Sequence, residues 1–275
     1  MERPGWAPEE IDLDRPSAAR VYDYFLGGAH NFAVDRELAE AIAAMTPNIG
    51  DTMRANRAFL RRAVRFLAGA GITQFLDLGS GIPTVGNVHE IARQANPAAR
   101  VVYVDVDPIA VTHSRAILAD DPQTTAIHGD IRDVDAVLSA PGTRRLLDLD
   151  RPVAVLLLGV LHFVPDSDDP AGIVGRLRDA IGPGSYLALV NVTHEDQPPE
   201  VIEAQKLAGR TGTPIHLRSR AELLAQFAGL SLVEPGLVHL PLWRPDAPLD
   251  RDARPERFGA LAGVGARDPA HWTGK

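Results

Sequence analysis

Three short stretches set carboxylates and glycines at the ends of apolar runs, and their spacing limits what they could bind. In QFLDLGSGIPT, residues 74–84, the run carries Asp77 near its end and is followed by Gly79 and Gly81 around one serine. Two such glycines let a chain turn sharply and bring bare backbone close to a ligand, with Thr84 or Asn87 near the start of the next helix. A dinucleotide turn would read G-x-G-x-x-G, but the sixth position is Thr84 and Gly86 comes two residues late. Asp77 also argues against a pyrophosphate, since a carboxylate there repels an anion and attracts an ammonium or sulfonium. The stretch reads either as a cradle for a cationic ligand or as a tight turn with Asp77 capping the following helix. Asp105 ends RVVYVDVDP at about the 20-residue interval where α/β nucleotide sites place an acid for a ribose diol. Asp107 and Pro108 read as the N-cap and first turn of the helix after it. In AIHGDIRD, Gly129 ends a third run, Asp130 can accept from an exocyclic amine, and the Ile131 backbone can address a ring edge, as adenine requires.

These residues need a scaffold that brings several strand ends together. Short apolar runs (QFLDL, RVVYVDV, TAIH, PVAVLLLG, SYLALVNV) alternate with helix-length segments from residue 74 onward. Near-continuous Val, Leu and Ile content is what parallel strands buried on both faces require. The fold class is therefore α/β, a Rossmann-like, doubly wound, mostly parallel sheet. LSLVEPGLVHLPLW carries two β-rich runs around Pro235 and Gly236 and is expected to close the sheet with an antiparallel C-terminal strand pair. Residues 1–71 read as an N-terminal helical cap or lid, 72–245 as the ligand-binding core and 246–275 as a surface tail. Within the cap, Asp51 is the expected N-cap of a helix whose Met53, Leu60, Val64 and Leu67 share one face.

Composition closes off several chemistries. The 275 residues include no cysteine, which removes disulfides, thiolate metal sites and a cysteine nucleophile, and no metal site is expected. Lysine occurs only at Lys206 and Lys275, so the P-loop is excluded and Lys206 is the sole serious Schiff-base candidate. A net charge of −8 argues against a nucleic-acid partner. No signal pattern and no apolar run of about 18 residues is present, so a cytoplasmic protein with no membrane partner is expected.

Asp77, Gly79, Gly81, Asp105 and Asp130 together resemble the S-adenosylmethionine site of class I methyltransferases. PSAARVYDYFLGGAHNFAVDRE, ANRAFLRRAVRFLA, QFLDLGSGIPTVGNVHEIA and VVYVDVDPIAV resemble, more narrowly, the S-adenosyl methyltransferase family that was long a domain of unknown function in high-GC Gram-positive bacteria. The resemblance covers roughly residues 16–245. It implies S-adenosylmethionine as cofactor, with S-adenosylhomocysteine as the bound product. Asp77 would then lie near the methionine amine, Gly79 and Gly81 would form its cradle, Asp105 would bind the ribose hydroxyls, and Asp130 with Ile131 would hold adenine. The acceptor stays open, and a small molecule is expected because the strand-four end lacks the N-P-P-Y type of motif.

Methyl transfer needs a base only where the acceptor carries a proton to be removed. His162 in GVLHFVPD is the candidate catalytic residue, with Asn191 and His194 of VNVTHED nearby in the pattern; a histidine hydrogen-bonded at the sheet edge is the alternative, and the favoured one for His194. Tyr22, Tyr24, Gly27, Gly28, His30 and Asn31 gather at a helix end, where Tyr24 and Asn31 could reach the cofactor or the glycines could simply cap. Arg54, Arg57, Arg61 and Arg65 follow at helical spacing and read as a solvated basic face rather than a site for an acidic acceptor or RNA. A non-catalytic S-adenosylmethionine-binding regulator is the second functional class and a nicotinamide reductase the third. Either a monomer or a homodimer fits the sequence.

Overall fold

The computed structural model describes residues 13–46, 48–82, 86–199, 202, 214–246 and 254–268. Thr84 and Lys206 lie outside them. Three helices come first: α1 (Ala18–Phe25), α2 (Ala33–Met45) and α3 (Ile49–Gly69). Strands and helices then alternate: β1 (Gln74–Leu78), α4 (Val88–Ala95), β2 (Arg100–Asp105), α5 (Pro108–Ile117) and β3 (Thr124–His128). Two short helices, α6 (Val134–Ser139) and α7 (Pro141–Leu146), lead to β4 (Ala154–Leu158), α8 (Pro170–Ala180) and β5 (Tyr186–Val192). The described chain closes with α9 (Arg220–Ala225), β6 (Ser231–Leu232), β7 (Val238–His239) and β8 (Ala260–Ala266).

The sheet order is β3-β2-β1-β4-β5-β8-β6, with β7 also on β8. Pairing is parallel from β3 through β5 and antiparallel wherever β8 takes part. The chain builds outward from β1 to β3 and then returns to place β4 on the other side of β1. The strand order thus reverses between β1 and β4, which is where such sheets open a crevice beyond their carboxyl ends.

Alternate strand residues feed two apolar layers, as a sheet covered on both faces requires. Phe75, Val101, Ala154 and Ala188 pack with Phe59, Ala63, Val64 and Leu67 of α3 and with Trp243. Leu76, Val102, Val155 and Leu187 pack on the opposite face with Ile173 and Leu177 of α8 and with Phe227. Burying a side chain such as Leu67, 0% exposed, contributes about 2 kcal/mol. Helix α3 therefore belongs to a layer of the sheet, while α1 and α2 rest on the loops beyond it through Phe32, packed against Ile82 and Ile109.

The expected antiparallel C-terminal strands close the sheet, β6 and β7 each pairing with β8. That strand comes from the stretch expected to form a surface tail, and it lies buried between β5 and β6. Its sequence, ALAGVGA, carries little β-branched content because Phe227 and Leu230 press on it; a Cβ on Gly263 or Gly265 would lie 3.0 or 2.9 Å from those side chains. Finally, α3 starts earlier than expected, with Asn48 at the N-cap position. Asp51 lies inside the first turn, where its carboxylate accepts from Arg54 and still complements the helix dipole.

Candidate functional site

β1 carries Asp77 to the crevice, and the chain then turns at Gly79, φ +71°. The N–H groups of Gly79 and Ser80 both donate to the Val104 carbonyl, at 2.8 and 3.1 Å, which pins the turn to β2. A Cβ on Gly79 would sit 2.4 Å from Val160 Cγ2, so only glycine allows the turn to approach the end of β4 this closely. Gly81, φ +66°, differs: a Cβ there would project into open space. Its N–H donates to Asp105 Oδ2 at 2.7 Å, and Asp107 N–H donates to Asp105 Oδ1 at 2.8 Å. Asp105 thus organises both loops, and the Val106 N–H also bonds to it. As expected, Asp107 caps α5, accepting from Ile109 N at 2.7 Å.

Asp77 is only 6% exposed, and among the described residues no hydrogen bond or ion pair reaches its carboxylate. It faces a narrow cavity lined also by Arg57, Ser80, Gly81, Asn87 and Tyr103. Burial pushes the Asp77 carboxyl up to about 7; the nearby Arg57 charge opposes that rise and Asp105 adds to it. Asp105 is likewise raised by burial, against the hydrogen bonds it accepts. Tyr103 Oη accepts from His89 N at 3.0 Å and lies 2.7 Å from His89 Nδ1, and burial holds its phenol well above the ordinary range.

On the β3 side, the Gly129 N–H donates to the Asp105 carbonyl at 3.0 Å, which brings Asp130 and Ile131 to the same sheet edge. The Asp130 carboxylate accepts from Arg132 Nε, Nη2 and backbone N, and these bonds hold it below the usual carboxylate range. Ile131 is buried in the α8-side layer. Val106, next to Asp105, is 61% exposed and offers an apolar face beside the carboxylate.

Beyond β4, Gly159 is flanked by two polar side chains. A Cβ on it would lie 3.8 Å from His162 Cε1 and 3.5 Å from Asn56 Nδ2. Asn56 Nδ2 donates to the Leu158 carbonyl and to Tyr22 Oη, which fixes the amide orientation and leaves Oδ1 buried without a partner. His162 Nδ1 and Asn191 Nδ2 are also buried without partners. Burial, with Arg218 and then His216 close by, lowers the His162 imidazole to about 3, so it is neutral at physiological pH. His194 lies apart from this group, lining a cavity of about 490 Å³ with Asp166, Ile202, Ile215, His216 and Leu217.

Two of the expected cofactor contacts are not brought to this crevice. Tyr24 Oη turns to Glu40 on α2, at 3.4 Å. Asn31 Nδ2 donates to Asp23 Oδ2 and to the Gly28 carbonyl, and its Oδ1 accepts from Arg36. The α1–α2 turn consumes these groups itself: Asp23 folds so tightly over Gly28 that a Cβ would lie 1.9 Å from its Oδ1. Arg57, in contrast, turns inward while Arg54, Arg61 and Arg65 are exposed. The helical spacing 53, 57, 60, 64, 67 places it in the apolar stripe, and that was the signal for it.

A family model described as S-adenosyl methyltransferase matches residues 4–268. The chain belongs to this family. The crystal structure of a proposed methyltransferase from Thermobifida fusca YX superposes with a TM-score of 0.90 at 42% identity, covering 96% of this chain and all of that one. A DUF574 family protein from Streptomyces avermitilis MA-4680 gives 0.89 at 42% identity, covering 94% of this chain and all of that one. Uncharacterized methyltransferase Rv3342 of Mycobacterium tuberculosis is 28% identical over 170 residues, 62% of this chain. The chain spans 60% of the length of that relative. Among the described residues of this family member, no helix is long and apolar enough to cross a membrane.

Proposed function

We propose that this chain is an S-adenosylmethionine-dependent methyltransferase acting on a small-molecule acceptor. The observation that carries the proposal is the Asp77 carboxylate: buried, facing a cavity, met by no hydrogen-bond donor among the described residues, and set beside the bare backbone of Gly79 and Gly81. Burying such a group is costly unless a positive partner arrives, and the α-ammonium of S-adenosylmethionine is one. The open space over Gly81 accommodates the ligand's close approach, Asp105 takes the ribose hydroxyls, and Val106 presents an apolar face for adenine. Asp130 serves the exocyclic amine through the capacity that Arg132 leaves, and Ile131 packs beneath.

The bound cofactor supplies an electrophilic methyl group on a sulfonium, so the chain's task is positioning and, where needed, proton removal. His162, neutral and with Nδ1 unpartnered, accepts a hydrogen bond from the acceptor's hydroxyl or amine and so aims its lone pair, and Asn56 Oδ1 and Asn191 Nδ2 orient the acceptor's other polar groups. The acidic net charge of the chain favours a small molecule over a nucleic acid.

The test is equilibrium binding of S-adenosylmethionine, S-adenosylhomocysteine and NADPH. The two adenosyl ligands are expected to bind and NADPH is not; the reverse pattern overturns the proposal. Asp105→Ala is expected to weaken S-adenosylhomocysteine by at least ~1.5 kcal/mol, the scale of hydrogen bonds to a charged group. Unchanged affinity would remove Asp105 from the site.

A further inference from the structure

The cavity beyond β4 and β5 holds about 490 Å³, inside the roughly 300–1,000 Å³ range of small-molecule sites. Ile202, Ile215 and Leu217 give it an apolar lining, and Asp166, His194 and His216 add polar groups. Its wall is tied to the end of the sheet. The His216 N–H donates to the His162 carbonyl at 2.8 Å, and the Arg218 N–H to the Val192 carbonyl at 3.4 Å. Buried Arg218 also spans to the loop after β4, donating to the Leu161 carbonyl at 3.0 Å and to the Val164 carbonyl at 2.7 Å. Val160 of the same loop packs against the Gly79 turn, so one short loop joins the cavity wall to the glycine cradle. The charges at the wall are matched internally. Asp166 Oδ1 accepts from Arg218 Nε and Nη2 at 3.2 and 2.8 Å, and Glu222, whose charge interacts with Asp166 and His194, accepts from the Ser219 N–H and hydroxyl. A cationic ligand therefore meets carboxylates that already hold donors, and an anionic one meets two carboxylates against one guanidinium. His216 Nε2 is buried with no hydrogen-bond partner among the described residues. Leaving a ring nitrogen unpaired is costly, and a ligand hydroxyl, which donates as well as accepts, suits either tautomer of the imidazole.

We infer that this cavity is the acceptor pocket and that it takes an uncharged molecule with an apolar body and a hydroxyl group, the body lying on Ile202, Ile215 and Leu217 and the hydroxyl bonded by His216. The inference rests on the methyltransferase reading above and narrows its small-molecule acceptor to a chemical class. The competing role for His216 is structural, holding His162 through the backbone N–H alone, a bond that other side chains at this position would keep.

The experiment titrates four probes into the protein, with and without saturating S-adenosylhomocysteine: 4-ethylphenol, ethylbenzene, which lacks the hydroxyl, and the charged tyramine and 4-hydroxyphenylacetate. Wild type is expected to bind 4-ethylphenol at least ~5-fold more tightly than ethylbenzene, the scale of one hydrogen bond, and more tightly than either charged probe. His216→Leu should bring 4-ethylphenol within about twofold of ethylbenzene and leave ethylbenzene itself unmoved. Leu217→Trp, which fills the cavity, should abolish binding of both. The same variant should cut transfer of labelled methyl into the small-molecule fraction of a cell extract at least ~10-fold, with S-adenosylhomocysteine affinity kept within about twofold. The inference is overturned if ethylbenzene binds as well as 4-ethylphenol, if a charged probe binds most tightly, or if His216→Leu weakens both neutral probes alike. It is overturned equally if Leu217→Trp leaves 4-ethylphenol binding or methyl transfer unchanged. Should neither variant fold, the wild-type order of the four probes decides alone. Wild type that binds S-adenosylhomocysteine but no probe refutes this inference and leaves the cofactor reading standing. Probe binding in the expected order without any S-adenosylhomocysteine binding means that the cofactor reading has failed, and the cavity loses its acceptor role with it.

Discussion

Asp77→Asn should make the ligand-free protein more stable at pH 8 and less able to bind its cofactor. Burial raises the Asp77 carboxyl to about 7, against an unperturbed 3.8, so the folded state holds a proton that the unfolded chain gives up. The sign follows from linkage: the contribution is fully favourable below pH 3.8 and is lost as pH rises toward 7. At pH 8 the raised carboxyl amounts to about 4 kcal/mol of cost relative to a neutral side chain, and at pH 5 to about 2 kcal/mol. The groups setting the value are Arg57 from α3, which lowers it, and Asp105 at the end of β2, which raises it, with the neutral Tyr103 phenol on the same cavity. Asparagine keeps the shape, carries no charge and sacrifices no hydrogen bond among the described residues. Urea unfolding of both proteins at pH 5 and pH 8 reads the difference, and the stabilisation should grow by about 2 kcal/mol between the two pH values. S-adenosylhomocysteine affinity at pH 8 should fall at least ~10-fold in the same variant. A stabilisation that does not change with pH, or a variant less stable at pH 8, would refute the reasoning.

Other perturbations separate the parts of the site. Gly79→Ala combines a positive φ with a Cβ 2.4 Å from Val160 Cγ2, so chemical denaturation should show a loss of about 2 kcal/mol or more. Gly81→Ala meets open space and should cost only about 1 kcal/mol of stability, while cofactor affinity in a titration falls more steeply than stability does. His162→Gln should leave cofactor binding intact and slow, without abolishing, transfer of labelled methyl into the small-molecule fraction of a cell extract. With the imidazole lowered to about 3, the wild-type rate should show no His162 limb above pH 4; a limb near 6.5 that disappears in the variant would contradict its burial.

The parts of the fold legible in the sequence are those where one physical demand dominates. β2, β4 and β5 announce themselves because burial on both faces forces near-continuous Val, Leu and Ile, whereas β3, TTAIH at the edge of the sheet, is only partly buried and gives a weaker signal. β8 is illegible for the opposite reason: its residues are small because Phe227 and Leu230 sit against them, so packing from distant chain removes the propensity signal. Arg57 was hidden by its neighbours. Three exposed arginines at helical spacing suggest a solvated face, and only the apolar stripe through Met53, Leu60, Val64 and Leu67 tells it apart. For Asn31 the sequence did not show its partner, because a dense cluster of polar groups beside two glycines can bond within its own turn, as Asn31 does with Asp23.

The loop that forms the cradle is held from two sides, and the two holds differ in kind. From the sheet, the Asp105 carboxylate accepts from Gly81 N and the Val104 carbonyl from Gly79 N and Ser80 N, so the glycine turn is fixed to the end of β2. From outside, Ile82 packs against Phe32 at the start of α2, and Ser17, which precedes α1, donates to Asp107 at the head of α5. Buried Arg20 and Asp35 tie α1 and α2 to each other through an ion pair at 2.9 Å, so the two helices bear on the loops as one unit. Removing that pair's charge on one side, as in Asp35→Asn, leaves Arg20 buried without its counter-charge, a change that costs about 3 kcal/mol or more in comparable pairs. Because Phe32 at the start of α2 packs on Ile82, the loss should reach cofactor affinity as far as the turn at Gly81 loosens. Asp35→Asn should therefore weaken S-adenosylmethionine and S-adenosylhomocysteine by the same factor in an equilibrium titration, and a loss confined to one of the two would refute the coupling.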